Sequence, residues 1–289
     1  MNKADKAPQG NNGVNRAMTD IGTIRAIIAN QHFCNVHARD DRGTRAIMRL
    51  IVEPARDDPD LWMKVMIGIC SNQPAALAWI NWQASLDLAY VHARLEAYVD
   101  EGLGPIFRTA AYKPPMPPEL KTNFNHVPDG KKTLACLFTV VLPPMWERRD
   151  YLRPRAGDTL WGYAGRLCEC HGIGTFLAGQ NVRYMKLAPP LREASDWDAF
   201  VVPGPGSERG LNRLYGRPLN QKWPLPLFTA AVEKFRARLN EGLAAAGIDP
   251  VDAQDAQNVL CESDKLFRAI EKGGKVSRKY KPSGEPVPA

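Results

Sequence analysis

His171-Gly172-Ile173-Gly174-Thr175-Phe176-Leu177-Ala178 interrupts a run of helical patterning between residues 159 and 184. A helix, a Gly-x-Gly turn and a second helix make the pattern of a helix-hairpin-helix. In that motif the glycines let backbone N–H groups approach a DNA phosphate, and the positive dipole end of the following helix adds attraction. Gly172, Gly174 and Thr175 are therefore candidate DNA-binding residues. The competing reading is a plain helix break, with glycine allowing two helices to cross closely.

Working outward, helices dominate. Ile21, Ile24, Ile27 and Ile28 define one apolar face after Asp20, and Ile47, Leu50 and Ile51 repeat the pattern over 41–52. Asp58-Pro59-Asp60 caps a helix expected over Leu61–Cys70, and Pro74 opens a long one through Ala75–Tyr98. The stretch 102–129 carries seven Gly or Pro breaks from Gly104 to Pro128 besides Gly102, which marks a long loop. Leu134–Leu142 (LACLFTVVL) reads equally as a strand or a buried helix segment. Helical patterning resumes over 211–215, 225–246 and from Asp249-Pro250 to about Lys272. The expected organisation is a disordered lead over 1–19, a helical catalytic domain over 20–272 and a basic flexible tail over 273–289. A division of the domain into lobes 20–155 and 156–272 is the alternative. Within the tail, Lys275 and Arg278 are further candidate DNA contacts.

Composition sets the outer bounds. The 289 residues are 44% hydrophobic and 24% charged, as in an ordinary folded protein. No stretch approaches the ~20 apolar residues of a membrane span, and the polar N-terminus lacks a signal-peptide run. A cytoplasmic protein is expected, in the host cytoplasm if phage-encoded, with no membrane partner. Six scattered cysteines do not make a disulfide framework. The net charge of +7 favours a polyanionic partner without requiring one. There is no G-x-x-x-x-G-K-[ST] phosphate loop and no H-E-x-x-H. Cys168-Glu169-Cys170-His171 has metal-ligand residue types at too tight a spacing and with no second pair, so no metal and no cofactor are expected.

Three further segments carry chemistry-bearing residues. Ser195-Asp196-Trp197-Asp198 runs into Pro203-Gly204-Pro205-Gly206-Ser207-Glu208-Arg209-Gly210-Leu211-Asn212-Arg213. A Gly/Ser loop opening a helix is a ready anion site, and Arg209 and Arg213 add full charges. The plainer reading is a Pro/Gly connector with a capped helix. Asn35, Arg39 and Arg42 fall near i, i+4 and i+7, on one face if the segment is helical. In Asp255-Ala256-Gln257-Asn258-Val259-Leu260-Cys261-Glu262-Ser263-Asp264, Asp255, Asn258 and Glu262 share a helical face. Buried, such a density of polar groups would belong to a site; exposed, it would mean little.

The fold expectation is a mostly α chain with a helix-hairpin-helix, DNA glycosylase-like helical fold. Asp196 and Asp198 follow the hairpin at the distance at which such glycosylases carry their catalytic aspartate. Phe176 stands where the Schiff-base-forming subclass has lysine, and the four-cysteine iron–sulfur loop of some members is missing.

Taken together, QHFCNVHARDDRGTRAI, HGIGTFLAGQ, SDWDAFVVPGPGSERGLNRLYGRPL and DAQNVLCESDK resemble the alpha-glutamyl/putrescinyl thymine pyrophosphorylases of phages and bacteria. The same module occurs as the helical domain of 5-hydroxymethyluracil DNA kinases. The resemblance spans about Ile21 to Tyr280, with Ser263 departing where an aromatic is expected. It implies an amino acid (or amine):DNA transferase of thymidine hypermodification, which evades host restriction. An amine such as glycine, glutamate or putrescine would displace phosphate or pyrophosphate from the 5-methylene of a uracil in double-stranded DNA. A separate 5-hydroxymethyluracil DNA kinase would be a partner, and the missing phosphate loop argues against these residues being that kinase.

On that reading Asp196, or alternatively Asp198, takes the ammonium proton. Gly204, Gly206, Ser207, Arg209 and Arg213 hold the leaving phosphate. Asn35, Arg39 and Arg42 address the uracil edge or the amino-acid carboxylate, and Asp255, Asn258 and Asp264 complete the pocket. A monofunctional DNA glycosylase and a non-catalytic DNA-binding subunit are the competing functions.

Overall fold

The structure is a computed structural model that describes residues 20–107, 112–113 and 129–275. The lead over 1–19, most of the 102–129 loop and the tail from 276 onward, Arg278 included, lie outside the described residues. Among those residues every element is helical and no strand occurs.

The described residues divide into two compact units, one over 34–262 and one made of 20–33 with 263–275. The smaller contains α1 (Ile21–Asn30), opened by the Asp20 carboxylate, which accepts from Gly22 and Thr23 N–H at 3.0 and 3.1 Å. It also holds the end of the last helix, where Asp264 is fully buried and paired with Arg268 at 3.1 Å.

The larger unit has two apolar cores. The first is built round α3 (Leu61–Ser71), every residue of which is buried. Around it run α2 (Arg42–Ile47, continued by a wider turn to Val52), α4 (Pro74–Ile80) and α5 (Leu88–Asp100). Next come α6 (Asp129–Cys136), the wide turn Leu137–Val141, α7 (Leu142–Glu147), α8 (Arg149–Leu152), α9 (Leu160–Cys168) and α10 (Thr175–Met185). Gly68 allows the close approach to α2: a Cβ there would stand 2.6 Å from Ile51 Cδ1. A buried polar tie holds three helices in register. Asn181 of α10 accepts from Tyr163 of α9 at 2.6 Å and donates to the Trp62 carbonyl of α3 at 2.8 Å. Lys64, also buried, is neutralised by Asp58 at 2.6 Å and donates to the carbonyls of Gln83 and Ala84.

The second core joins α11 (Pro205–Leu214), α12 (Leu225–Ala245) and α13 (Ala253–Glu271) through Leu211, Phe228, Val232, Leu243, Ala256 and Leu260. Each of the Leu, Phe and Val side chains contributes about 1.5–3 kcal/mol on burial.

Two expectations about elements change. The single helix expected over 75–98 is two, because Asn81 turns left-handed (φ 54°) and Asp87 then caps α5 through Ala89 and Tyr90 N–H. The ambiguous 134–142 segment is helical. Thr139 fits there by donating its hydroxyl to the Ala135 carbonyl one turn back, at 2.7 Å.

Candidate functional site

α9 and α10 are joined by a tight turn with Gly172 in the left-handed region (φ 80°). Ile173 plugs into the core at 3% exposure, while Gly174 and Thr175 are exposed. A Cβ on Gly174 would meet nothing within 4 Å. The backbone at the start of α10 is thus open to an approaching group, with the dipole end of an 11-residue helix behind it.

Arg183 and Tyr184 lie near the other end of α10, two helical turns on. There the chain from Cys34 to Asp41 runs without regular helix apart from one turn at Ala38–Asp40. Side-chain carboxylates hold it in place of a hydrogen-bond ladder. Glu262 accepts from Cys34 N–H at 3.1 Å, Asp41 from Asn35 N–H at 3.0 Å and Asp255 from Ala38 N–H at 3.2 Å. Asn258 donates to the Asn35 carbonyl at 3.4 Å. The one-face arrangement expected of Asn35, Arg39 and Arg42 is therefore absent, since no continuous helix links them. Arg39 instead makes an exposed ion pair with Asp249 at 2.7 Å, and Arg42 begins α2.

Asp255 is the centre of this cluster. Arg183 Nη1 lies 3.9 Å from its Oδ1, and His37 Nδ1 lies 3.8 Å from its Oδ2. Its own N–H bonds Asp252, whose carboxylate holds the buried Lys186 at 2.6 Å. Burial, then the Asp252 charge, push the Asp255 carboxyl up, against the opposing pull of Arg183 and the Ala38 N–H. Asp41 is likewise raised by burial, with Glu262 and Asp255 adding to it. Burial also tends to raise Asp252, but Lys186 outweighs it and holds that group low. Tyr112, facing Phe176 at 5.3 Å between ring centres, is pushed up to about 12 chiefly by burial. Three buried polar atoms here, His37 Nε2, Arg183 Nε and Gln254 Oε1, have no hydrogen-bond partner among the described residues.

The other expected site residues have different surroundings. Both Asp196 oxygens are engaged at the start of α9, accepting from Leu160 N–H at 2.7 Å and Trp161 N–H at 3.0 Å. That is a helix-capping role. Asp198 is exposed, and its carbonyl accepts from Ala253 N–H. The Trp197 indole donates to the Lys186 carbonyl at 2.8 Å and lies under the Lys186 ammonium at 4.0 Å.

The Gly204–Ser207 turn caps α11 and packs it on α13. Ser207 Oγ, fully buried, accepts from Gly204 N–H and from Gln257. A Cβ on Gly206 would lie 2.3 Å from Cys261 Sγ, and one on Gly210 would lie 2.4 Å from the Leu260 carbonyl oxygen. Arg209 and Arg213 are half-buried on the same helix.

At about 100° per residue, Gln257, Leu260 and Cys261 occupy the side of α13 opposite to Asp255, Asn258 and Glu262. The expected site thus separates into parts. Asp255, Asn258 and Asn35 come together with the previously unassigned Arg183, Asp41, His37 and Tyr184. The Gly204–Arg213 segment lies across the helix, and Asp196 belongs to α9. Asp264 and the exposed Lys275 belong to the smaller unit. Arg183 had no signal in the sequence, standing alone in GQNVRYMK; only the fold brings it to Asp255.

No helix among the described residues is long and apolar enough to cross a membrane. Comparison with curated proteins and with solved structures finds no match. A family model described as 5-hmdU DNA kinase, helical domain, matches residues 23–275, which include both cores, the hairpin and the acidic cluster. The chain belongs to this helical-domain family, and with it to the enzymatic modification of 5-hydroxymethyluracil DNA.

Proposed function

We propose that the protein is an amine:DNA transferase acting on 5-phosphomethyl- or pyrophosphomethyl-deoxyuridine. The carbon–oxygen bond of the 5-methylene breaks and the leaving phosphate keeps the electron pair. A carbon–nitrogen bond forms to the incoming amine, and its proton passes to a carboxylate. These 289 residues contain no phosphate loop of the kinase type, so phosphorylation of the hydroxymethyl group is assigned to a kinase outside them.

The observation that carries this reading is the half-buried cluster of Asp41, Asp255 and Arg183. An amine becomes a nucleophile only when deprotonated, and a carboxylate is an effective acceptor when its pKa is raised towards neutrality. Asp255 and Asp41 are the carboxylates in the larger unit pushed in that direction. Beside them Arg183, with its Nε unpartnered, supplies a fixed positive charge for an anionic oxygen. The base role thus passes from Asp196 to Asp255, with Asp41 as its neighbour, and the anion role from the Gly204 turn to Arg183. The hairpin supports the DNA part of the reading. Gly174 and Thr175 precede Arg183 on one rigid helix by eight to nine residues, about 12–14 Å, so a strand held there stays near the cluster. The reacting base must leave the helical stack to be reached.

The test is to incubate the protein with DNA containing 5-phosphomethyluracil and a mixture of glycine, glutamate and putrescine, then digest to nucleosides and weigh them. An aminated thymidine is expected from the native chain, with Asp255→Asn and Arg183→Gln each slowing its formation about 100-fold or more. Circular dichroism checks that both variants are folded. An abasic site, or no product at all, overturns the transferase; full rates in both folded variants overturn the assignment of the cluster.

A further inference from the structure

The connector between α11 and α12 carries an exposed cationic and aromatic ledge that the proposed chemistry does not use. From Arg209 to Val232 the chain has four cations, Arg209, Arg213, Arg217 and Lys222, and no acidic residue. The Arg217 guanidinium lies over the Trp223 ring at 3.8 Å, and Tyr215 meets the same ring edge-on at 5.5 Å. Tyr215 is 49% exposed, with Leu214 at 57% and Leu219 at 37% beside it in sequence.

The ledge is built to be rigid. Asn212, fully buried, donates to the carbonyls of Leu219 and Gln221 at 3.1 and 2.8 Å and accepts from the Trp223 indole at 2.7 Å. Arg217 is fixed by Gln221 and the Lys222 carbonyl. Glu208, the carboxylate bonded to the ledge through Lys222 and Trp223 N–H, is buried. An ordinary solvated loop has no need of an arginine stacked on tryptophan, a half-exposed tyrosine against it and a buried asparagine holding the frame.

We propose that this ledge binds unpaired nucleotides of a DNA strand, with Tyr215 and the Arg217–Trp223 stack as surfaces for bases and the cations as contacts for phosphates. The inference rests on the reading that the chain acts on DNA. Bringing a base out of the duplex leaves neighbouring nucleotides unstacked, and aromatic rings with arginine are the sequence-tolerant way to receive them. Four cations against one carboxylate, Glu208, give an excess of positive charge that matches a polyanion rather than a neutral apolar partner.

The test measures binding of a fluorescein-labelled single-stranded oligo(dT) of twelve nucleotides, and of a fully paired duplex, to the full chain by anisotropy over a series of salt concentrations. Tyr215→Ala and Arg217→Gln are each expected to weaken oligo(dT) binding about 10-fold or more, with a smaller loss on the duplex. Arg217→Gln should also flatten the salt dependence, by about 0.7 in log–log slope. Quenching of tryptophan fluorescence by oligo(dT) that is lost in Trp223→Phe gives an independent readout, since the chain has seven tryptophans. Thermal melting confirms that the variants are folded. Unchanged oligo(dT) affinity in both folded variants overturns the proposal. So does an acidic peptide that competes as well as oligo(dT), or a self-association of the native chain that Tyr215→Ala abolishes. A chain that binds strands through the ledge but transfers no amine loses the transferase and keeps the ledge; amine transfer with unaltered strand binding in the variants does the reverse.

Discussion

The two sides of α13 are made from neighbouring residues yet do opposite work. Gln257, Leu260 and Cys261 face α11, where Gly206 and Gly210 bring two backbones together and the one hydroxyl present, that of Ser207, is satisfied. Asp255 and Glu262 hold an irregular stretch of chain by its N–H groups and Asn258 holds it by the Asn35 carbonyl, beside buried atoms that have no partner among the described residues. The first side is saturated and close-packed, as a protein interior is. The second is polar, and burial raises the Asp255 carboxyl there and that of Asp41 in the facing chain. Satisfied contacts mark what holds the fold, and strained polar ones mark where chemistry is stored.

The largest expected effect strikes the packed side. Gly210→Ala places a Cβ 2.4 Å from the Leu260 carbonyl oxygen, a backbone atom that has no side-chain freedom with which to retreat. A loss of about 2–3 kcal/mol is expected in chemical denaturation. Gly174→Ala is the matched control. Its Cβ meets nothing within 4 Å and its φ is −88°, so stability should change by about 0.5 kcal/mol or less while duplex DNA binding falls. If Gly210→Ala is as mild as the control, the α11–α13 contact is not the close approach described.

The contrast also explains what could be read from the sequence and what could not. Glycines spaced as Gly206 and Gly210 suit either a phosphate or a second helix, because both require the absence of a Cβ; only the neighbour decides, and it is α13. The helices themselves were legible, because apolar periodicity is local; the cap expected at Asp58-Pro59-Asp60 is not made by the Asp60 side chain, which accepts from Arg153 instead. The break at Asn81 was missed because a left-handed asparagine leaves no pattern in an Ala- and Leu-rich run. Asp255, Asn258 and Glu262 were legible as a face because helical spacing is local too. The partners Arg183 and Asp41 were not, since they come from segments far apart in the chain and meet through tertiary packing.

Asp196 gives an effect of intermediate size. Asp196→Ala removes two carboxylate contacts from the first N–H groups of α9, and a cost of about 1–2 kcal/mol follows for a charged cap. Amine transfer by the folded variant should continue at close to the native rate, in contrast to Asp255→Asn. A variant that is stable but catalytically dead would return Asp196 to the reaction and dissolve the division between capping and chemistry.

The smallest effect is a slope. Asp255 has a folded-state pKa above its ordinary value of 3.8, so the folded protein binds the proton more tightly than the unfolded chain. The stability this group contributes is fully present below about pH 3.8 and declines as pH rises through the raised pKa. Asp252 has the opposite sign: held low by Lys186 against its burial, it contributes stability above pH 3.8 that is lost as pH falls. The two acids are joined by the hydrogen bond from Asp255 N–H to Asp252. Asp255→Asn removes only the first dependence, at most about 1.4 kcal/mol per pH unit. Denaturation measured across pH 4–7 should therefore show a variant that gains on the native chain as pH rises, because the buried charge is gone. The gain should be partial, since Arg183 and the Ala38 N–H both favour the ionised carboxylate that the variant lacks. Parallel pH profiles for the two proteins would mean that Asp255 titrates as an ordinary surface acid, and the cluster would then lose the property that sets it apart from the other side of the helix.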